Sequence, residues 1–318
     1  MHHGDIDANT AKGLKELQKR IAACKIPSSK IDETLLLATW NIREFGKKRR
    51  LKISLHLIAE IIGMFDLVTI VEVRDDVRDL AEVLTFLGPD WKVVFSDYIQ
   101  DAGGNRERVA FVYDERAVRF TGLASHAFRP RQKVGTEYVD TISWWRPPYM
   151  GSFQSGNFDF VVLGAHIRWG DSEAEREGEL QKLADWIHDR VDEKYIYEKD
   201  IIVLGDFNIP SLKSKLYQAV SSTGLMMPSS LAGIPGSNLA KDKRYDQILH
   251  LPHFKELFSH QGGVLDFYGT SHKALMPGTS LTKDKFTYQI SDHLPLWVLI
   301  NTDDDGLKLD QILNAKGK

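Results

Sequence analysis

Cysteine is almost missing: Cys24 is the single cysteine in 318 residues. No intramolecular disulfide can staple the chain, and a reducing compartment is expected. No run approaches the roughly 18 consecutive apolar residues that a membrane-spanning helix needs. An excess of one charge is missing too. The 41 Lys and Arg against 44 Asp and Glu leave a net charge of −3, so any contact with a polyanion must be local rather than global. There is no CxxC, no P-loop, no GxGxxG and no internal repeat, which removes the signatures of nucleotide-binding and solenoid architectures. The start, Met-His-His-Gly-Asp, turns charged at once without an apolar leader segment. A soluble cytoplasmic protein is therefore expected, with no membrane and no disulfide-linked partner.

What the chain does have is apolar strands that end in polar side chains. At 42% hydrophobic it can bury a large core. The organising stretch is Ile201-Ile202-Val203-Leu204-Gly205-Asp206-Phe207-Asn208. Its four leading residues read as a strand buried on both faces, and Gly205 lets the backbone turn. Asp206 and Asn208, two apart on an extended backbone, project the same way. A carboxylate and an amide together suit a hard cation such as Mg²⁺ and its bound phosphate. Taken alone, Asn208 reads equally as a cap on the next helix.

Other apolar strands behave alike. Residues 35–41 end at Asn41, and 67–72 end at Glu72 with Arg74 two residues on and expected on the same side. Residues 158–164 lead to His166, 244–249 carry Asp246 near their start, and Asp292-His293 precede 296–300. Further strands are expected at 92–96, 108–113, 118–123 and 138–145, and helices at 9–24, 53–65, 75–86, 172–190 and 213–223. The first helix belongs to an N-terminal extension (1–33) ahead of a body at 34–301 and a peripheral tail at 302–318. Lys47-Lys48-Arg49-Arg50 with Lys52 reads as a solvated loop or, after a site strand, as a phosphate contact. A Gly-Gly-Asn turn is expected at 103–105, a basic loop at 129–133, and a groove-bordering loop at 227–238.

Each polar strand end has an ordinary explanation by itself, and His166 alone reads first as structural. Gathered along one edge they have none. Glu72, Asp206, Asp246 and Asp292 in a small volume would repel by roughly 3 kcal/mol for a pair about 5 Å apart at an effective dielectric near 20. A divalent cation relieves that repulsion and lets a phosphate bridge to it, while His166 and His293 suit proton transfer near neutral pH. Metal-assisted hydrolysis of a phosphate ester is the expected chemistry.

The ordered set Trp40-Asn41, Val71-Glu72-Val73-Arg74-Asp75, Arg106-Glu107-Arg108, His166, Gly205-Asp206-Phe207-Asn208, Tyr245-Asp246 and Ser291-Asp292-His293 resembles the endonuclease/exonuclease/phosphatase superfamily over residues 34–301. Within it the set is most similar to the deoxyribonuclease I branch. The resemblance implies an α/β fold, a four-layer αββα sandwich of two mostly antiparallel sheets flanked by helices. It implies Asn41, Glu72, Asp206 and Asp292 around Mg²⁺, with Mn²⁺ as a substitute. His293 would be held by Asp246 and His166 by Glu107, as two acid–base pairs. Asp206 and Asn208 would meet the scissile phosphate, and Arg74 and Arg146 the substrate backbone.

The abasic-site endonucleases usually carry tyrosine at the position of His166, and the Glu-Val-Arg-Asp and Arg-Glu-Arg elements separate the chain from lipid phosphatases. Val71 and Asn105 depart from the Gln and Tyr often found there, and the disulfides and secretion signal of animal deoxyribonucleases are absent. The implied function is a Mg²⁺-dependent nuclease acting on nucleic acid, DNA with low sequence preference. The alternative is a metal-dependent phosphatase or phosphodiesterase on inositol lipid or another small phosphate ester. A non-catalytic binding module is a third reading, against which the intact set of Asn, Glu, His and Asp side chains argues.

Overall fold

In the computed structural model the described residues are 1–98, 105–128, 130–303 and 305, 306, 309 and 313. Two sheets lie face to face with helices outside both. The first has six strands in the order β12 (Phe258–Val264), β13 (Leu296–Asn301), β1 (Thr34–Phe45), β2 (Leu67–Val73), β4 (Arg108–Asp114) and β3 (Trp91–Phe95). The second has five: β11 (Asp246–His250), β10 (Ile201–Asp206), β9 (Phe158–His166), β8 (Tyr149–Ser155) and β5 (Arg119–His126). Each sheet holds one parallel pair, β1 with β2 and β9 with β10, among antiparallel neighbours.

The period-2 alternation of the central strands builds the layers. Leu35 and Leu37 of β1 enter the core between the sheets, where Phe111, Phe153 and Phe160 also lie. Leu36, Ala38 and Trp40 face outward into a second core with α1 (Ala8–Ala23), α2 (Lys52–Ile62) and α3 (Arg78–Leu87). On the far side, Leu180, Leu183 and Ile187 of α4 (Glu173–Val191) and Leu216 of α5 (Lys215–Val220) cover the five-stranded sheet. Leu14, Leu17 and Ile21 bury the apolar stripe of α1, whose N-terminus is capped by Asp7 accepting from the Thr10 amide. No described helix is long and apolar enough to cross a membrane.

The strand expected at 138–145 is corrected. Only Glu137–Asp140 is extended (β7), and it pairs with β6 (Arg131–Val134) in an exposed hairpin separate from both sheets. The strand that enters the sheet is β8, beyond Pro147-Pro148, where Gly151, Ser152 and Gln154 dilute the apolar signal. The basic loop likewise becomes β6 at Arg131–Val134, while Arg129 lies outside the described residues, as do Gly103, Gly104 and most of the tail after Asp303. The basic run after β1 is engaged in ion pairs. Lys47 meets Glu44, Arg49 meets Asp79 and Glu82, Lys52 meets Glu82, and Arg50 is buried.

Candidate active site

The parallel pairs aim their carboxyl ends at one place, the position where open α/β sheets hold ligands. Register does the assembly in the second sheet. Asp206 of β10 stands beside His166 of β9 and beside Asp246 of β11. In the first sheet, Asn41 of β1 neighbours Val71, and the bulge that follows presents Glu72 with φ of 64°. Glu44 and Asn208 are also left-handed, at 52° and 51°. Such conformations cost about 1–3 kcal/mol each and persist where the surroundings fix them. Gly205 is required: its φ is 143°, and a Cβ there would sit 1.9 Å from the Ala165 carbonyl oxygen. His293 is carried by the segment before β13, anchored where Ser291 Oγ donates to Asn41 O at 2.6 Å and Trp40 Nε1 donates to His293 O at 2.9 Å.

Two acid–imidazole pairs face one carboxylate. His166 Nδ1 lies 2.7 Å from Glu107 Oε2, and His293 Nδ1 lies 2.7 Å from Asp246 Oδ2. An ionised carboxylate can only accept, so each Nδ1 donates and each Nε2 is turned inward. Both Nε2 atoms approach Asp206 Oδ2, at 3.7 Å from His166 and 3.8 Å from His293. Burial disfavours charge on His293, yet Asp246, Asp206 and Asp292 overcome it and raise its pKa well above the ordinary value. Burial and Arg146 likewise oppose charge on His166, and Glu107 and Asp206 outweigh them to hold its pKa up. Burial would raise Glu107, but His166, Arg146 and Arg74 hold it down to about 2.

Asn41 Nδ2 donates to Glu72 Oε1 and to Asp206 Oδ2, both at 2.9 Å. That leaves Asn41 Oδ1 buried with no partner. Glu72 Oε2 accepts the Glu44 amide at 2.8 Å. Asp246 Oδ1 is a second unpartnered buried oxygen, and Asp206, Asp246 and His293 have ligand atoms within 4.8 Å of one another. These two oxygen sets differ in access. Asn41, Glu72 and Asp206 line a cavity of about 290 Å³, and Asp246 does not. A cation open to the cavity could be held by the Asn41–Glu72–Asp206 set, whose hard oxygens suit an ion such as Mg²⁺ or Mn²⁺. In the other set, a hydrogen bond already joins Asp246 Oδ2 to His293 Nδ1, and the remaining Asp246 oxygen does not line the cavity.

The same cavity brings together Asn41, Glu72, Glu107, Arg146, His166, Asp206, Asn208, Asp292 and His293. Asn208 is not a helix cap: Nδ2 donates to Ile167 O at 2.7 Å, and Ser214 caps α5 instead. Asp292 is half exposed at the rim, 3.8 Å from Arg43 Nε. Arg146 Nη2 donates to Glu107 Oε1 at 3.1 Å while still lining the cavity. Arg74 is buried behind the wall, bonded to Glu44 at 3.2 Å and 3.9 Å from Glu107. The positive φ of Glu72 breaks the strand alternation that put Arg74 on its face. Arg43, Glu44, Trp169 and Tyr288 also line the cavity and were not singled out from the sequence. Only Arg43, two residues beyond Asn41 on the same strand, carried a usable signal.

A model of the Endonuclease/Exonuclease/phosphatase family matches residues 38–293. The chain belongs to that family. Enzymes of the endonuclease/exonuclease/phosphatase family are metal-dependent hydrolases of phosphodiesters or phosphate esters. A protein named deoxyribonuclease from Thioalkalivibrio sp. (strain K90mix) is 29% identical over 290 residues, covering 86% of this chain and 73% of its own length. A family member of known structure from Bacteroides thetaiotaomicron superposes with a TM-score of 0.57 at 18% identity, covering 85% of this chain and 98% of its own. A mannosyl-6-phosphatase from Bacteroides thetaiotaomicron VPI-5482 gives 0.53 at 15% identity, covering 84% and 99%. These two likenesses concern the fold alone.

Proposed function

We propose that this chain is a Mg²⁺-dependent nuclease hydrolysing phosphodiester bonds, of DNA with low sequence preference. The observation that carries the reading is the convergence of two imidazole Nε2 atoms on Asp206 Oδ2, at 3.7 and 3.8 Å, with a carboxylate behind each ring. Asn41 and Glu72, with Asp206, would hold the metal. When bound, Mg²⁺ would neutralise phosphate charge and offset the carboxylates that raise the proton affinity of both imidazoles. Water attacks phosphorus while the P–O ester bond breaks. Of the two imidazoles, one accepts the water proton and the other delivers a proton to the leaving oxygen, with Asp246 and Glu107 fixing ring orientation. Asn208 and Arg146 meet the phosphate oxygens, and Arg74 sets the charge of Glu107 from behind. The sequence relative named deoxyribonuclease supports a nucleic acid as substrate.

The test incubates purified protein with supercoiled plasmid, linear duplex, single strands and RNA, each with Mg²⁺ or with EDTA. Cleavage of DNA in Mg²⁺ that EDTA abolishes is expected. Phosphate release from inositol lipids or small esters with every nucleic acid left intact would replace this reading by the phosphatase alternative.

A further inference from the structure

Beside the catalytic cavity runs a second groove of about 510 Å³, lined by Trp144, Trp145, Arg168, Glu175 and Lys182 among others. Two dipeptides form the wall between them. Arg146 and Trp169 line the catalytic cavity, while their chain neighbours Trp145 and Arg168 line the groove. Trp145 is 48% exposed and Trp169 54% exposed, although tryptophan is among the side chains most worth burying.

Both rings are nevertheless held in place. The Arg168 guanidinium lies 3.7 Å from the Trp145 ring centroid. Buried Arg176 lies 4.4 Å over the Trp169 ring and donates from Nη1 to the Trp169 carbonyl. Trp169 meets Tyr245 edge-on at 5.8 Å, and Tyr245 lies 5.9 Å from the His293 ring. Across the cavity, Arg43 covers Tyr288 at 3.8 Å. Each ring is backed by a cation or another ring and offers its remaining surface to solvent beside a phosphate-cleaving centre.

Aromatic faces alternating with arginines are how single nucleic-acid strands are gripped without sequence readout. In an intact duplex both faces of each base are already covered, so a base can reach such a platform only by leaving the stack. A net charge of −3 offers little long-range attraction to duplex DNA in compensation. We infer that Trp145, Arg168 and Trp169 form a nucleobase-stacking subsite next to the scissile phosphate. On that basis, which rests on the nuclease reading above, the enzyme acts on single-stranded or locally unpaired nucleic acid in preference to intact duplex.

Steady-state kinetics test this on one oligonucleotide, single-stranded and annealed to its complement, and on bis(p-nitrophenyl) phosphate, a diester without a base. Wild-type kcat/KM is expected to be about tenfold higher on the single strand. Stacking on an aromatic side chain is worth about 1–3 kcal/mol per base, so Trp145→Ala, outside the catalytic cavity, should raise KM for the strand about 5- to 150-fold with kcat little changed, and Trp169→Ala should raise KM for the strand by a similar factor. The strand-to-bis(p-nitrophenyl) phosphate ratio then falls, and Trp169→Phe, which keeps a ring, recovers most of it even if Trp169→Ala fails to fold. Equal rates on strand and duplex, or an unmoved KM in the alanine variants of an enzyme that still cleaves DNA, would overturn the subsite alone. Wild-type turnover of bis(p-nitrophenyl) phosphate with no cleavage of any nucleic acid would overturn the nuclease reading itself.

Discussion

Asp246→Asn asks whether the carboxylate behind His293 does chemistry or merely fills space. Asp246 is 2% exposed, and its Oδ2 lies 2.7 Å from His293 Nδ1. Asparagine has the same shape without the charge. Opposite charges about 4 Å apart attract by roughly 4 kcal/mol at an effective dielectric near 20. Losing that attraction lowers the His293 pKa, because Asp246 is the first of the charges that hold it up. An asparagine amide donating to Nδ1 also forces the proton onto Nε2, the wrong tautomer for accepting one from water. The loss expected for a disabled acid–base group is about 10²- to 10⁴-fold in kcat. Asp246 and Asp206 repel each other, so the fold should hold and the Asn41–Glu72 oxygens are untouched. The assay is kcat on bis(p-nitrophenyl) phosphate in Mg²⁺ across pH, with the thermal midpoint measured on the same preparation. Wild-type kcat in a folded Asp246→Asn enzyme would refute the pairing as a functional device.

Glu107→Gln should act in the same sense on His166. It leaves the Arg146 and Arg74 cations facing an imidazole with no carboxylate, so kcat falls about 10²-fold or more, read in the same assay. Gly205→Ala should destabilise the chain by about 3 kcal/mol in urea denaturation, because its Cβ would meet the Ala165 oxygen at 1.9 Å on a backbone with φ of 143°; an unchanged midpoint would contradict this. His56, 1% exposed and stacked on Phe86 at 4.0 Å, is held by burial, His3 and Lys52 at a pKa of about 4. An unfolded histidine titrates near ~6.5, so the unfolded chain takes up a proton that the folded one refuses. Stability is therefore full above about pH 6.5 and declines by up to about 3 kcal/mol towards pH 4. His56→Phe should flatten that decline in denaturation curves at several pH values, and an unaltered slope would reassign the effect.

The central strands were legible because they are buried on both faces: β1, β2, β9 and β10 are continuous apolar runs. So were the residues at their ends, since a polar side chain closing a buried strand needs a partner. Less of the periphery could be read. The edge strand β12 is Phe-Ser-His-Gln-Gly-Gly-Val, with neither alternation nor an apolar run. The helix α6 (Lys283–Thr287), which brings Tyr288 to the cavity, has only 5 residues. Alternation also fails where the backbone turns left-handed. The φ of 52° at Glu44 and 64° at Glu72 re-aim side chains in ways that spacing cannot anticipate, which is why Glu44 was overlooked and Arg74 was expected in the open. Trp169 sits in the loop after β9, where no periodicity speaks for it.

The most direct measurement is an anomalous difference map from crystals soaked in Mn²⁺. A single metal–phosphate centre at the carboxyl ends of the parallel strands predicts a peak against Asn41 Oδ1 and Glu72, open to the cavity, and no peak in Glu72→Gln crystals. A peak enclosed by Asp206, Asp246 and His293, with nothing beside Glu72, would contradict it.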